Sequence, residues 1–243
     1  MMNNSADPIR SGLKELDDAI GSFNPGEIVI LVSTDPIERS AFALNVALKN
    51  ALNNVPALIL NSETSMKEAA KWALMNADNG QTIPKNTPLY IEEIEKSNIK
   101  ELKERISKLK ETSHIKIAVI NPMNYAYQHL PDIKGQHSSG ISEFVSEMKE
   151  LAKKLQILII LTARIIYDLD ALPDEITLGN ALADILIGIE MFADEYEENN
   201  KRIITVNRNR KNIAMFAVGF KRKHLRFYDL GENNKPLVCK EVA

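Results

Sequence analysis

Cysteine is nearly absent from the 243 residues; Cys239 is the only one. A disulfide framework and any multi-cysteine metal site are excluded, and a reducing compartment is expected. Long apolar runs are missing as well. No stretch approaches the ~18 apolar residues of a membrane span, and the opening MMNNSADPIR has no signal-peptide core. A cytoplasmic setting with no membrane partner is therefore expected. Neither sign of charge dominates: 30 Lys+Arg stand against 33 Asp+Glu, a formal net charge of −3. That excludes a uniformly basic nucleic-acid binder and leaves a local basic patch open. His129 and His137 lack the spacing and carboxylate support of metal ligands, so no metal site is expected. No repeat, low-complexity tract or Pro/Gly-rich linker divides the chain, and residues 1–243 are expected to form one domain.

What the chain does have is apolar residues, 44% of the total, arranged in a regular alternation. The short runs Ile28–Val32, Ala57–Leu60, Ile117–Ile120, Ile157–Leu161 and Ile185–Ile189 are apolar throughout. Such runs read as parallel strands covered on both faces. Helical patterns fill the gaps, over Glu38–Asn50, Met66–Asn76, Asn98–Glu111 and Gly140–Leu155. In the last of these Phe144, Met148, Leu151 and Leu155 recur on one face. Beyond residue 200 the runs Arg202–Val206, Met215–Phe220 and Leu225–Tyr228 leave no room for helices between them. The fold class is α/β, a mostly parallel sheet flanked by helices with an antiparallel C-terminal extension.

Between the first strand and the first long helix the turn reads Ser33-Thr-Asp-Pro-Ile-Glu-Arg-Ser40. A phosphate-binding loop in this place has two glycines and a lysine, GxxxxGK followed by Ser or Thr. Here Ser33 and Glu38 replace the glycines, and Arg39 replaces the lysine. Ser40 keeps the hydroxyl. Two carboxylates, Asp35 and Glu38, would face any triphosphate, at a cost of several kcal/mol in a partly desolvated site. The other reading is an ordinary strand–turn–helix with Asp35 as N-cap and Pro36 at the first helical position.

The surroundings of this turn carry a resemblance. Ser11-Gly-Leu-Lys-Glu-Leu-Asp-Asp-Ala-Ile-Gly-Ser-Phe-Asn-Pro-Gly-Glu27 is similar to the segment that leads into the P-loop strand of hexameric replicative helicases of the DnaB family. Further similar stretches are Ala41–Val46, Leu58–Ser65, Phe144–Leu161, Ala183–Ile187, Asp194–Tyr196, Asn207–Asn209 and Leu225–Phe227. The resemblance runs from about residue 9 to 228. It implies a RecA-like P-loop NTPase fold, a single C-terminal-type ATPase domain without the family's N-terminal helicase domain.

Carried over residue by residue, the resemblance implies a degenerate site. The nucleotide-binding positions fall on Glu38, Arg39, Ser40 and Asn121, the last where the family has the metal-holding aspartate. The catalytic glutamate falls on Glu63, expected to be idle. The polar sensor falls on Thr162-Ala163 without its glutamine, and the trans-acting Lys-x-Arg pair falls on Val206 and Arg208. Arg208 alone remains finger-like. Phosphoryl transfer works by positioning and charge neutralisation, so losing these parts together argues for a pseudo-ATPase with no cofactor. The alternative is an ATP-dependent helicase using ATP and Mg²⁺ through an atypical loop, or a divergent RecA/KaiC-like regulatory ATPase.

The basic residues concentrate near the end of the chain: Lys201, Arg202, Arg208, Arg210, Lys211, Lys221, Arg222, Lys223 and Arg226. Arg210, Lys211, Lys221, Arg222 and Lys223 are the DNA-binding candidates, with Phe227 and Tyr228 as stacking rings. The competing reading is charge that balances Asp194–Glu198 or protects strand edges. The expected role is binding or regulation linked to DNA replication or recombination, with single-stranded DNA, a replicative helicase or a second copy of the chain as partner.

Overall fold

A computed structural model describes residues 8–62, 65–76, 83–94, 98–123, 137–164, 182–191, 200–209 and 211–230. The elements are α1 (Lys14–Ile20), β1 (Ile28–Ser33), α2 (Pro36–Leu52), β2 (Ala57–Asn61), α3 (Met66–Asn76), β3 (Leu89–Glu93), α4 (Ile99–Ser113), β4 (Ile117–Asn121), α5 (His137–Leu155), β5 (Leu158–Arg164), β6 (Ile185–Met191), β7 (Lys201–Arg208), β8 (Lys211–Lys221), a 3₁₀ turn (Arg222–His224) and β9 (Arg226–Asp229). They build one nine-stranded sheet in the order β3-β2-β4-β5-β1-β6-β7-β8-β9. Pairing is parallel from β3 across to β6 and antiparallel from β6 to β9.

The continuous apolar runs form the central strands because both faces of the sheet are covered there. Along β1, Val29 and Leu31 face the layer made by α2, whereas Ile28, Ile30 and Val32 face the layer of α4 and α5. Each such side chain contributes about 1.5–3 kcal/mol when fully buried. In β7 the pattern changes to alternation, with Arg202, Ile204 and Val206 buried and their neighbours half-exposed. That is the signature of a sheet covered on one face. The antiparallel extension docks on α2 through an aromatic stack. Phe42 meets Phe227 edge-on at 5.2 Å, and Phe227 lies 4.6 Å from Phe220.

Two elements escape the sequence patterns: α1, only seven residues long, and β3, an edge strand of mixed polarity. The helix after β1 also starts earlier than its apolar stripe, at Pro36. Along the extension the Tyr228 ring lies across Gly219. A Cβ on that glycine would sit 2.1 Å from the ring, which explains the glycine without any special backbone angle.

Candidate functional site

The chain leaves β1 toward β2 on one side and reaches β6 on the other, so the sheet reverses its order of growth beside β1. Open α/β sheets bind ligands at such a switch point, outside the carboxyl ends of the strands. The head of α2, the ends of β2, β4 and β5, and the start of β7 meet there.

Only Thr34 and Asp35 separate β1 from α2. Asp35 is the N-cap. Its carboxylate accepts the Ile37 N–H at 2.8 Å, and Pro36 follows at the first helical position. Three backbone amides of the turn have acceptors within it: Asp35 N–H donates to Ser33 Oγ, Ile37 N–H to the Asp35 carboxylate and Arg39 N–H to the Asp35 carbonyl. Burial pushes the Asp35 carboxyl up, but Arg222 and the Ile37 amide outweigh it and hold the group below its usual range. Arg222 Nη1 lies 2.5 Å from Asp35 Oδ2 at the rim of the site.

One turn deeper, Glu38 is buried against Arg202 of β7, with Nε donating to Oε1 at 2.5 Å. The Arg202 guanidinium is itself buried, donates through Nη1 to the Lys201 carbonyl at 2.7 Å, and stands 5.4 Å from the centre of the Phe220 ring. Burial raises the Glu38 carboxyl above its ordinary value even though Arg202 pulls it down. Arg39, next along the helix, is also buried.

Beside this ion pair lies a neutral network. Asn121 at the end of β4 donates through Nδ2 to Ser40 Oγ at 3.0 Å and to Asn61 Oδ1 at 2.8 Å. Its Oδ1 accepts from Thr162 Oγ1 at 2.6 Å. Register explains the meeting: Asn61 and Asn121 are paired neighbours on β2 and β4. The cavity lined by Ser40, Asn61, Trp72 and Asn121 measures about 20 Å³. That is room for about one water, against the several hundred Å³ of a small-molecule site.

The structure thus brings Glu38, Ser40 and Asn121 to one place and adds Arg202 and Asn61, which sequence reasoning assigned to no site. Arg202 had a signal: it occupies the inward phase of β7 with Ile204 and Val206, where a cation requires a buried acid. Glu63 and Arg210 lie outside the described residues. Arg208 closes β7 at the other end of the strands, paired with Ile185 where β6 begins. Its Nη1 donates to the Ile20 carbonyl at 2.7 Å and its Nη2 to Glu27 at 2.6 Å, so it is tied to its own chain.

The basic run contiguous in sequence is not one patch in space. Lys211 opens β8 and Lys221 closes it, about 33 Å apart at roughly 3.3 Å per residue. Arg202, Arg208 and Arg222 are each bound to a carboxylate. Lys221 and Lys223 remain exposed with Arg222 at the bend between β8 and β9. Phe227 is buried in the core, so of the two rings proposed for stacking only Tyr228 stays accessible, with Lys221 Nζ 5.3 Å from its centre. Among the described residues no group of His, Cys, Asp or Glu is placed to hold a metal, and no helix is long and apolar enough to cross a membrane.

No protein-family profile matches the chain. It is similar in sequence to replicative DNA helicases: 22% identical over 260 residues to DnaB of Leifsonia xyli, and 20% over 257 residues to DnaC of Bacillus subtilis. Each match covers 91% of this chain and 56% of the relative, so the chain spans about half the length of the curated relatives it matches. Among solved structures it superposes on an ATPase domain with a TM-score of 0.77 at 17% identity, covering 93% of this chain and 94% of that one. A DnaB-like replicative helicase gives 0.75 at 16% identity, covering 91% and 62%, and the RadB recombinase 0.67 at 17%, covering 91% and 99%. The fold is that of RecA-like ATPase domains, with weak sequence similarity to replicative DnaB helicases.

Proposed function

We propose that this chain is a DnaB-like domain with a degenerate Walker A segment that neither binds nor hydrolyses nucleotide and acts by binding, in DNA replication or recombination. The observation that carries the reading is the head of α2. Helix begins where a phosphate loop would run, Asp35 occupies its amides, and Glu38 fills the space behind them with an ion pair. MgATP does not fit these residues. Asn121 is spent within the neutral network as a donor to Ser40 and Asn61, which a magnesium-holding carboxylate could not be, and two anions stand where negative phosphates would lie. In this reading Glu63 is idle, and Arg208 braces Glu27 and α1 rather than a neighbouring subunit's phosphate. The partner is single-stranded DNA, a replicative helicase, or a second copy of the chain. One solved neighbour is a DnaB-like replicative helicase described with its interactions with primase, which supports a protein partner by analogy alone.

The direct test is thermal melting with millimolar MgATP. A ligand at a hundred times its dissociation constant stabilises by about 2.7 kcal/mol, which raises Tm by roughly 5–11 °C in a domain of this size. No shift and no hydrolysis above background are expected. A shift of that size would replace this reading with an ATP-dependent helicase using an atypical loop.

A further inference from the structure

We infer that Glu15 and Asp229 share a proton between the first helix and the last strand, forming a clasp that tightens in acid and loosens toward neutral pH. Neither residue belongs to the head of α2.

Helix α1 starts without a cap of its own, because its N-cap position is Leu13 and no side chain there accepts a hydrogen bond. The missing acceptor comes from 215 residues away: Asp229 Oδ1, at the end of β9, takes the Lys14 N–H at 2.8 Å. The Asp229 carboxylate then stands within hydrogen-bonding reach of the next side chain, Glu15. Two ionised carboxylates are acceptors only, so neither can satisfy the other. Glu15 Oε2 is sealed from water and has no hydrogen-bond partner among the described residues. One proton held between the two groups supplies the missing donor and removes the like-charge repulsion.

The neighbouring charges are committed elsewhere. Lys14 Nζ turns to Asp18 at 2.9 Å, where both groups are exposed. Asp17 accepts the Ser11 and Gly12 amides. On β8 the register partner of Asp229 is the apolar Val218, and beyond it in the same row Arg202 of β7 is bound to Glu38. Arg208 reaches α1 at its far end, through the Ile20 carbonyl. Burial, and then Asp229, push the Glu15 carboxyl above its ordinary value, against the pull of its own amide and of Lys14. A carboxyl raised in the folded state stabilises fully below its ordinary pKa, and that contribution is lost as pH rises through the folded value. Above it the two carboxylates repel, and α1 is held to the sheet by the burial of Leu16 and Ile20 and by Arg208. Because β9 is the outermost strand, the clasp closes the edge of the extension against the first helix.

The experiment follows the Glu15 carboxyl of the full chain by carbon-13 NMR through an acid-to-neutral titration, with thermal melting at both ends. In wild type the Glu15 midpoint should lie above the ordinary carboxylate range. Glu15→Gln keeps the shape and gives Asp229 a permanent donor, so its Tm at about pH 7.5 should exceed that of wild type by roughly 2–4 °C, and the gap should close by about pH 4. Asp229→Asn keeps an acceptor for the Lys14 amide and should lower the Glu15 midpoint toward its ordinary range. Amide exchange of α1 should show several-fold greater protection at about pH 5 than at about pH 7.5 in wild type, and equal protection at both in Glu15→Gln. A wild-type Glu15 that titrates in the ordinary range overturns the proposal, as does a Glu15→Gln variant no more stable than wild type at about pH 7.5. A midpoint that Asp229→Asn leaves in place overturns it too, because burial alone would then account for the shift. Equal protection of α1 at both pH values in wild type would show that the proton does not hold the helix, and the clasp would fail.

Discussion

Two arginine–carboxylate pairs hold the head of α2, one at the rim and one inside. Asp35 and Glu38 are three residues apart, each is bound by an arginine of the antiparallel extension, and both contacts measure 2.5 Å. Yet their carboxyls shift in opposite directions. Asp35 keeps part of its solvation and gains a backbone amide, so attraction wins and the group lies low. Glu38 loses nearly all its water, so desolvation wins and the group lies high. The same contact distance therefore describes two different energetic objects. At the rim the pair is a modest gain over water. Inside, it offsets a desolvation cost that either partner alone would expose in full.

Breaking the inner pair has the larger consequence. Arg202→Met should destabilise by about 3–5 kcal/mol at pH 7 in urea unfolding, since an unpaired carboxylate is left buried. The pH dependence identifies the cause. A carboxyl raised in the folded state makes folding most favourable below its ordinary pKa, and that advantage is lost as pH rises through the folded value. Without Arg202 the folded value rises further, so the deficit of Arg202→Met should shrink toward pH 4 and grow toward neutrality. Replacing both partners, Arg202→Met with Glu38→Met, should recover most of the loss. A double variant as unstable as the single one would mean that the pair's packing, not its charge, matters.

The neutral network next to it sharpens the contrast. Asn121→Asp introduces a charge among Ser40, Asn61 and Thr162 and removes the amide that donates to two of them. A loss of about 3 kcal/mol at pH 7 is expected, smaller in acid where the new carboxyl takes a proton. Wild-type Asn121 titrates nowhere, so its own contribution is flat with pH. If Asn121→Asp proved neutral at pH 7, water or a cation would have to reach the network, and a cavity of only about 20 Å³ would be the wrong picture.

These sites differ in how far the sequence disclosed them. The sheet was legible because buried parallel strands read as continuous apolar runs, and α2 and α5 because their stripes repeat over several turns. Residues α1 and β3 were not, being short and of mixed polarity. The helix start was legible only as one of two readings of a single segment. Asp35-Pro36 spells an N-cap and first turn, while its place after β1 spells a phosphate loop, and the cap is what forms. The partner of Glu38 lies 164 residues away and is joined only by the register of β7. No local pattern carries such a pairing. The basic run is divided in space for the complementary reason. Neighbours in sequence were sent to opposite ends of an eleven-residue strand.

Removing the rim carboxylate tests the other half of the contrast. Asp35→Ala deletes the helix cap and should cost about 1 kcal/mol, within the 0.5–2 kcal/mol range of such losses. The sign with pH is opposite to that of Glu38. A carboxyl held low in the folded state stabilises above its ordinary pKa, and the benefit is lost as pH falls through the folded value. Wild type and Asp35→Ala should therefore converge in stability in acid, where Arg202→Met and wild type also draw together for the reverse reason.

Arg222→Ala is the mildest change. Arg222 is more than half exposed, at 55% for its side chain, whereas Asp35 beneath it is at 22%. Water competes for the guanidinium, and ordering a long side chain costs entropy, so the loss should be no more than about 1 kcal/mol. Salt separates this pair from the inner one. Raising ionic strength from about 0.01 to 1 M shortens the screening length from about 30 to 3 Å, which should erase most of the difference between wild type and Arg222→Ala. The deficit of Arg202→Met should barely respond, because the inner pair is shielded from ions as it is from water. Parallel urea titrations of the two variants at low and high salt make the comparison directly. A salt response of Arg202→Met equal to that of Arg222→Ala would show that ions reach Glu38, and the division between rim and interior would fail.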